Sequence, residues 1–326
     1  MLGSVRPLLF YCIFLSISLT CNVYPALAQF SGSTTGAISG TVKDTQGKTV
    51  VGANIEKKQK ETNLERKVKV AETGIYNLSQ LPPGIYEIRV TAEGFSQQSQ
   101  KLTINIGRTL IVNFVLSIGD TSAVIEVNSS APNDIEKTES STNIVENSIN
   151  NLPINIRNFL DFSTTAARVA VDRFQVFGGN SGTSGLSFNG QSGRFNNITI
   201  DGLDNNIFIS GGVRTTFSQD AIKEFQILSD GYSAEFGRAV GGVVNIVTRG
   251  GSNDLRGSVF LFNRSDKTSA RDPFLSLKPP FSQSQLGLAF GGPIKRDKLF
   301  FFTSFERLSI KQNNIITISD SFVAAA

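Results

Sequence analysis

Residues 36–117 alternate with a period of two, and nothing else in the chain limits its fold as strongly. Tyr86, Ile88 and Val90 are apolar with Glu87, Arg89 and Thr91 between them, and Leu110, Val112, Phe114 and Leu116 repeat the pattern. A period of two sends successive side chains to opposite faces of an extended strand, so each run buries one face and wets the other. Turn signals break the runs at 44–47, Glu72-Thr73-Gly74, Pro82-Pro83-Gly84, Glu93-Gly94 and Gly107. Short strands spaced roughly 8 to 12 residues apart, without helical periodicity between them, predict a small β-sandwich of about seven strands.

A second strand signal is punctuated by glycine. In YSAEFGRAVGGVVNIVTRGGSN, residues 232–253, the pairs Gly241-Gly242 and Gly250-Gly251 bracket Val243-Val244-Asn245-Ile246-Val247-Thr248. That β-branched run reads as a short buried strand, and its glycines serve either as joints about which it moves or as tight turns in a static domain. Around it, 146–152 reads as a short helix ended by Pro153, and 155–164 as another carrying Ile156, Phe159, Leu160 and Phe162. Strands are expected at 186–189, 197–201 and 222–228, with glycine-rich loops at 178–185 and 203–212, which together make an α+β module.

The N-terminus is of another kind. Arg6 precedes the apolar run 8–19, and Ala26-Leu27-Ala28 supplies a small-x-small cleavage pattern, so 1–28 is expected to be a signal peptide of an exported protein. The run is shorter than the roughly 20 residues a membrane-spanning helix needs. Both cysteines, Cys12 and Cys21, fall in that leader, which leaves the mature chain without a disulfide or thiolate metal site. The sequence has no histidine, which removes the commonest general base and the Ser/His/Asp arrangement. The expectation is a protein that is not an enzyme and holds no cofactor. Net charge is +4, and +3 once the leader takes Arg6 with it; the charges are interspersed, so no nucleic-acid partner is expected.

Residues 118–142 change character. Val124-Ile125-Glu126-Val127 is one alternating strand in a polar, Ser/Asn/Glu-rich stretch that reads as a linker. A lone strand with free edges is open to capture by a partner's sheet; pairing with the preceding sandwich is the alternative. Beyond Gly250, 256–263, 285–290 and 299–305 read as apolar strands, and Leu286, Leu288 and Phe290 alternate with the small residues Gly287 and Ala289, as in a transmembrane barrel wall. Phe300, Phe301, Phe302 and Phe305 suit an aromatic girdle, and a soluble sheet edge is the plainer alternative.

Three stretches resemble known families. Gly40-Thr41-Val42-Lys43-Asp44, Gly52-Ala53-Asn54-Ile55 and TGIYNLSQLPPGIYEIRVTAEGF at 73–95 resemble the carboxypeptidase regulatory-like domain, a transthyretin-like sandwich grouped with carbohydrate-binding-like folds. DAIKEFQILSDGYSAEFGRAVGGVVNIVTRGGSN at 220–253, with TIDGLDNN at 199–206, resembles the plug domain of TonB-dependent outer-membrane receptors. GSVFLFNRSDKTSARDPF and FGGPIKRDKLFFFTSFERL then follow in the order of the Oar-like branch of that family. The resemblance implies a mainly β fold: signal peptide 1–28, seven-stranded sandwich 34–117, linker 118–142, α+β plug 143–253, and from 254–326 the first strands of an incomplete outer-membrane β-barrel. Barrels of such transporters close about 22 strands, so three strands imply an N-terminal portion that does not transport by itself.

The same resemblance assigns roles. A TonB-type energy-transducing protein would contact Thr121, Val124, Ile125, Glu126 and Val127. An extracellular ligand, whether siderophore, glycan, peptide or protein, would meet Asp204, Asn205, Asn206 and Arg214. Glu235, Arg238 and Arg249 would pair with barrel-wall charges, or else are ordinary solvated charges, and outer-membrane lipid would surround the barrel. The carboxylates of 201–206 lack the spacing of an EF-hand loop, so no metal is expected. The rival reading is a secreted or surface carbohydrate-binding or adhesion protein without transport activity. Against it, the chain has no Trp, and Tyr76 and Tyr86 read as core.

Overall fold

The apolar half of each alternating run is buried, and that burial closes the first module. The computed structural model describes residues 34–119, 123–126, 139–152, 157–172, 183–271, 273 and 278–312; the expected leader lies outside them. In chain order come β1 (Gly36–Asp44), β2 (Asn54–Gln59), β3 (Glu65–Lys69), β4 (Ile75–Leu81), β5 (Gly84–Thr91), β6 (Gln98–Ile104), β7 (Thr109–Ile111), β8 (Phe114–Leu116) and β9 (Ala123–Glu126). One sheet runs β4-β1-β7 with β8 also on β1, and the other runs β3-β2-β5-β6-β9. Ile38, Val42, Tyr76 and Leu78 from the first meet Ile55, Tyr86, Ile88 and Val90 from the second in one core. β7 and β8 both run parallel to β1. Between them Asn113 turns its side chain to accept from the Thr41 amide at 2.9 Å and hydroxyl at 3.0 Å, so they are one interrupted strand. The seven expected strands are thus β1–β6 and β7/β8, with β9 added at the edge. Tyr76 and Tyr86 donate their hydroxyls to Val112 O at 2.7 Å and Pro82 O at 2.8 Å inside this core, and neither offers a stacking platform to a sugar.

The next module is built on β10 (Ser140–Val145), helix α1 (Glu146–Asn151), β11 (Val169–Val171), β12 (Leu186–Phe188), β13 (Asn197–Ile200), β14 (Leu203–Asp204), β15 (Ile222–Asp230) and β16 (Val243–Thr248). The sheet order is β10-β15-β16-β13-β14, with β11 and β12 a separate ribbon. β16 is central, antiparallel to β15 and parallel to β13, so both its edges are paired; Val243–Val247 are buried on both faces, which matches a run that is apolar nearly throughout. Val244, Ile246, Phe225, Ile227 and Ile198 share one core, where the rings of Phe159 and Phe162 lie 6.4 and 5.5 Å from that of Phe225. The opposite face carries a cross-strand row, Asn143, Gln226, Asn245 and Thr199. Thr199 Oγ1 donates to Asn245 Oδ1 at 2.9 Å and Asn245 Nδ2 to Gln226 Oε1 at 3.3 Å. Buried amides bond one another because leaving one unpaired costs about 1–3 kcal/mol.

Two expectations need correction here. The second expected helix is a 3-10 helix, Phe159–Thr165, capped by Asn158. The hydroxyls of Thr164 and Thr165 each donate at 2.7 Å to the carbonyl three residues back, which suits the tighter turn; Pro153 and Ile156 lie outside the described residues. The paired glycines are not a set of free joints either. The Phe188 ring occupies the place a Cβ on Gly242 would take, the Asn196 side chain that on Gly241, and the Phe301 backbone that on Gly251; of the four, Gly250 alone has open space.

β17 (Arg256–Ser265), β18 (Phe281–Lys295) and β19 (Leu299–Gln312) form an antiparallel meander. Along β18, Gln283, Gln285 and Ala289 are buried while Leu286, Leu288 and Phe290 are 45%, 41% and 41% exposed. Ala289 and Gly291 share a cleft with Lys223, Arg249 and Gly251 of the preceding module, so the buried face is the one turned toward it. The four phenylalanines do not make one girdle. Phe305 pairs with Leu288 on the exposed face, and the Phe301 ring lies there tilted against that of Phe290, 5.6 Å between centroids. Phe302 lies opposite Gly291 and Phe300 packs on Gly251, both on the inner face. Adjacent residues of a strand face opposite ways, so three consecutive Phe cannot all meet one solvent.

Candidate functional site

Two regions lie along β16: a loop that turns at its Thr248 end and runs back to its Val243 end, and a junction with the sandwich at its Thr248 end. At its Thr248 end, Asp201 and Gly202, with φ of 49° and 81°, turn β13 into β14. Asp201 holds that turn by accepting from the Thr248 amide at 2.9 Å and hydroxyl at 2.7 Å. The chain then runs back along β13. Asn206 Oδ1 accepts from Ile198 N at 3.1 Å, and its Nδ2 donates to Asn197 Oδ1 at 2.9 Å and Asp204 Oδ1 at 2.6 Å. Asn205 exchanges two bonds with the Thr215 backbone, and Arg214 donates to Asn206 O at 3.1 Å. Of the four residues expected to meet a ligand, Asn205 and Asn206 are therefore buried and occupied with holding the loop, while Asp204 and Arg214 are exposed.

What the loop presents at its tip is apolar. Phe208 and Ile209 are 80% and 87% exposed, with Val240 exposed as well. Arg238 joins the elements: its guanidinium lies 5.1 Å from the Phe208 ring and donates to Asp204 at 2.8 Å. Burial works to raise the Asp204 pKa, but the amide and backbone N–H of Asn206 and then the cations Arg238 and Arg214 outweigh it and hold the carboxyl below its ordinary value. Sequence reasoning overlooked this tip, although Ile207-Phe208-Ile209 inside a glycine-rich polar loop was a visible signal.

Two of the three residues expected to pair with a barrel wall have charge partners in their own module. Arg238 pairs with Asp204, and Arg249 with Glu146 at 3.2 Å while donating to Ile222 O and Asn150. Glu235 is exposed, and its backbone N–H donates to Ser233. A cationic contact with the meander comes from Arg157, 4.3 and 5.5 Å from the Phe260 and Phe262 rings and ion-paired to Asp220 at 3.1 Å.

At the Thr248 end of β16, where Glu224 lies opposite Val247, the turn after β6 docks on β10 and β15. Glu224, 3% exposed, accepts from Ile106 N at 3.3 Å and from Asn143 Nδ2 at 2.8 Å, while Asn143 Nδ2 also donates to Ile106 O at 3.0 Å. Gly107 rests on Gln226 so closely that a Cβ would overlap it. Burial pushes the Glu224 carboxyl up to about 7 despite Asn143, the Ile106 N–H, Lys223 and Arg108. Lys223 pairs with Glu61 of the sandwich at 2.7 Å, and Asn63 and Asn253 both donate to Asp297 in the β18–β19 turn, at 2.8 and 2.9 Å. Of the two alternatives for this strand, pairing with the sandwich is the one observed: β9, with Val124, Ile125 and Glu126, runs parallel to β6. Thr121 and Val127 lie outside the described residues.

Two segments match known families. Residues 37–117 match the carboxypeptidase regulatory-like domain and residues 247–325 the outer membrane beta barrel domain. Over 298 residues the chain is 30% identical to the TonB-dependent transporter Oar of Myxococcus xanthus, covering 85% of this chain and 27% of that one. The chain thus spans about a quarter of the length of the curated relative it matches. Similar solved structures are the siderophore receptor PirA of Acinetobacter baumannii, 22% identical over 52% of this chain and 24% of that one with a TM-score of 0.38, and the outer membrane transporter YddB of Escherichia coli, 19% identical over 52% and 26% with a TM-score of 0.40.

Proposed function

We propose, from a chain that corresponds to the N-terminal portion of an Oar-like TonB-dependent outer-membrane receptor, that residues 143–253 are the plug of the barrel begun by β17–β19. The observation that carries this reading is the two-faced β18, with Gln283, Gln285 and Ala289 buried on the side of the module before it and Leu286, Leu288 and Phe290 exposed on the other. Apolar outward and polar or small inward is the pattern lipid imposes on a barrel wall. In this reading the Phe208–Ile209 tip, with Arg238, Asp204 and Arg214, meets the extracellular ligand. A TonB-type protein takes the 121–127 segment, whose described part lies with the sandwich at the other end of the sheet, and pulls on the plug.

Fractionation tests the location. An antibody against 220–253 is expected to detect a heat-modifiable band in the outer membrane, whereas a band released into the medium would replace this reading with the secreted binding protein.

A further inference from the structure

The turn between β2 and β3 reaches out of the sandwich and touches both of the other modules. It is fixed from within: Gln59 N donates to Leu64 O at 3.0 Å, Asn63 N to Gln59 O at 2.9 Å, and the Thr62 hydroxyl to Gln59 Oε1 at 2.9 Å. Asn63 takes a φ of 54°, which Asn tolerates better than most residues, and its side chain is given to a partner outside the sandwich. That partner is Asp297 in the turn between β18 and β19, whose Oδ1 accepts from Asn63 Nδ2 at 2.8 Å. From the same turn Glu61 pairs with Lys223 of β15 at 2.7 Å, with side chains 26% and 19% exposed, and Glu61 O accepts from Asn253 N at 2.9 Å.

These contacts bridge a seam. Residues 249–255 join β16 to β17, and Gly250 there has open space around it, so the linker can bend at that point. Beyond the bend, Asn253 Nδ2 donates to Asp297 Oδ1 and Asp297 N to Asn253 Oδ1, each at 2.9 Å. A cleft of about 150 Å³ runs along the seam, lined by Glu61, Lys223, Arg249, Gly251, Ala289 and Phe302. The sandwich spans it, holding β15 on one side through Lys223 and Glu224 and Asp297 on the other. The module cannot shift against β17–β19 without breaking one set of bonds: if the sandwich travels with it, Asn63 leaves Asp297, and if the sandwich stays, Lys223 and Glu224 let go.

We infer that the β2–β3 turn is a latch that keeps the module of residues 143–253 seated against the barrel strands, with Asn63 on Asp297 as its catch. This rests on the plug reading proposed above. The catch is one exposed hydrogen bond to a carboxylate, enough to bias the seated state by roughly three- to tenfold and weak enough to release. The Lys223 and Glu224 contacts are the more buried set, so the sandwich stays with the plug and the catch parts first.

The test uses the full-length mature receptor in planar bilayers, with urea titrated on the side that bears the sandwich and the current as the measure of plug displacement. Asn63→Gly and Asp297→Gly each remove one half of the catch at a position whose φ, 54° and 63°, suits glycine. At a urea concentration that opens a minority of wild-type channels, Asn63→Gly is expected to raise the ratio of open to closed channels roughly three- to tenfold. In an Asp297→Gly background it is expected to add nothing, because the partner is already gone. An Asn63→Gly receptor that opens like the wild type, or whose effect persists undiminished in the Asp297→Gly background, overturns the latch and leaves the plug reading standing. A wild-type receptor that conducts freely without urea, or conducts at no urea concentration, has no plug to hold; the plug reading then falls and the latch with it.

Discussion

Replacing Glu224 by Gln tests how the sandwich is joined to the module built on β10, β15 and β16. The carboxyl is almost fully buried, and burial holds its folded pKa at about 7 against an ordinary 4.5. A raised carboxyl pKa means the folded junction prefers the protonated acid. Its contribution to stability is complete below about pH 4.5 and is lost as pH rises through about 7. That gap corresponds to about 3 kcal/mol in all, of which roughly 2–3 kcal/mol falls between pH 5 and pH 8, or about 50- to 100-fold in the equilibrium for opening the junction. Gln is the neutral counterpart of the protonated acid: its carbonyl still accepts from Asn143 Nδ2 and the Ile106 amide, and it takes no charge. The assay is hydrogen–deuterium exchange of the peptide spanning 103–110, corrected for intrinsic rate at each pH, because local opening is measurable in a chain of several modules that does not unfold in two states. The wild type is expected to lose protection from pH 5 to pH 8, and Glu224→Gln to keep it. Equal profiles for the two proteins, or a wild type that gains protection as pH rises, would refute the buried neutral acid.

Gly242→Ala forces a Cβ into the Phe188 ring and is expected to destabilise the module around β16 by about 1–3 kcal/mol, whereas Gly250→Ala, with open space around it, changes stability by less than about 1 kcal/mol; equal urea midpoints would return both glycines to the role of joints. Arg238→Ala breaks an ion pair whose side chains are 49% and 43% exposed, so stability should move by less than about 1 kcal/mol, but the Phe208 tip loses its stacking partner. If the tip meets a ligand as proposed, affinity for that ligand, measured by calorimetry, should fall; unchanged affinity removes the tip from the proposed contact. Lys57 lies buried above the Tyr86 ring with its pKa lowered to about 8, first by burial and then by Arg66. The unfolded chain then binds more protons above that value, and the wild-type sandwich should gain about 2 kcal/mol between pH 8 and 9.5. Lys57→Met is expected to abolish that gain, and a melting temperature that rises equally in both proteins would contradict it.

Much of the fold was legible because its signals are local. The run Val243–Thr248 becomes β16 with the same bounds, and Tyr86, Ile88 and Val90 are the buried side of β5, because alternation, β-branching and Pro-Gly turns act within a few residues. The candidate site was harder to read. Asp204 and Arg214 are exposed as a ligand contact requires, but Asn205 and Asn206 look the same in sequence and turn inward, since their partners Thr215, Ile198 and Asn197 are reached only once the loop has folded back. Arg249 was equally ambiguous, because Glu146, its partner, lies 103 positions earlier in the chain.

By itself the sequence determined which segments are extended, which side of each strand is apolar, where turns fall, and that histidine and cysteine chemistry is absent from residues 29–326. Tertiary structure alone decided the rest. It laid Phe188 on Gly242 and Phe301 on Gly251, split Phe300, Phe301, Phe302 and Phe305 between two faces, buried Glu224 against Ile106, and gave β9 a partner in β6. These are contacts between residues far apart in the chain, and their energies depend on burial and register that exist only after the sheets have assembled.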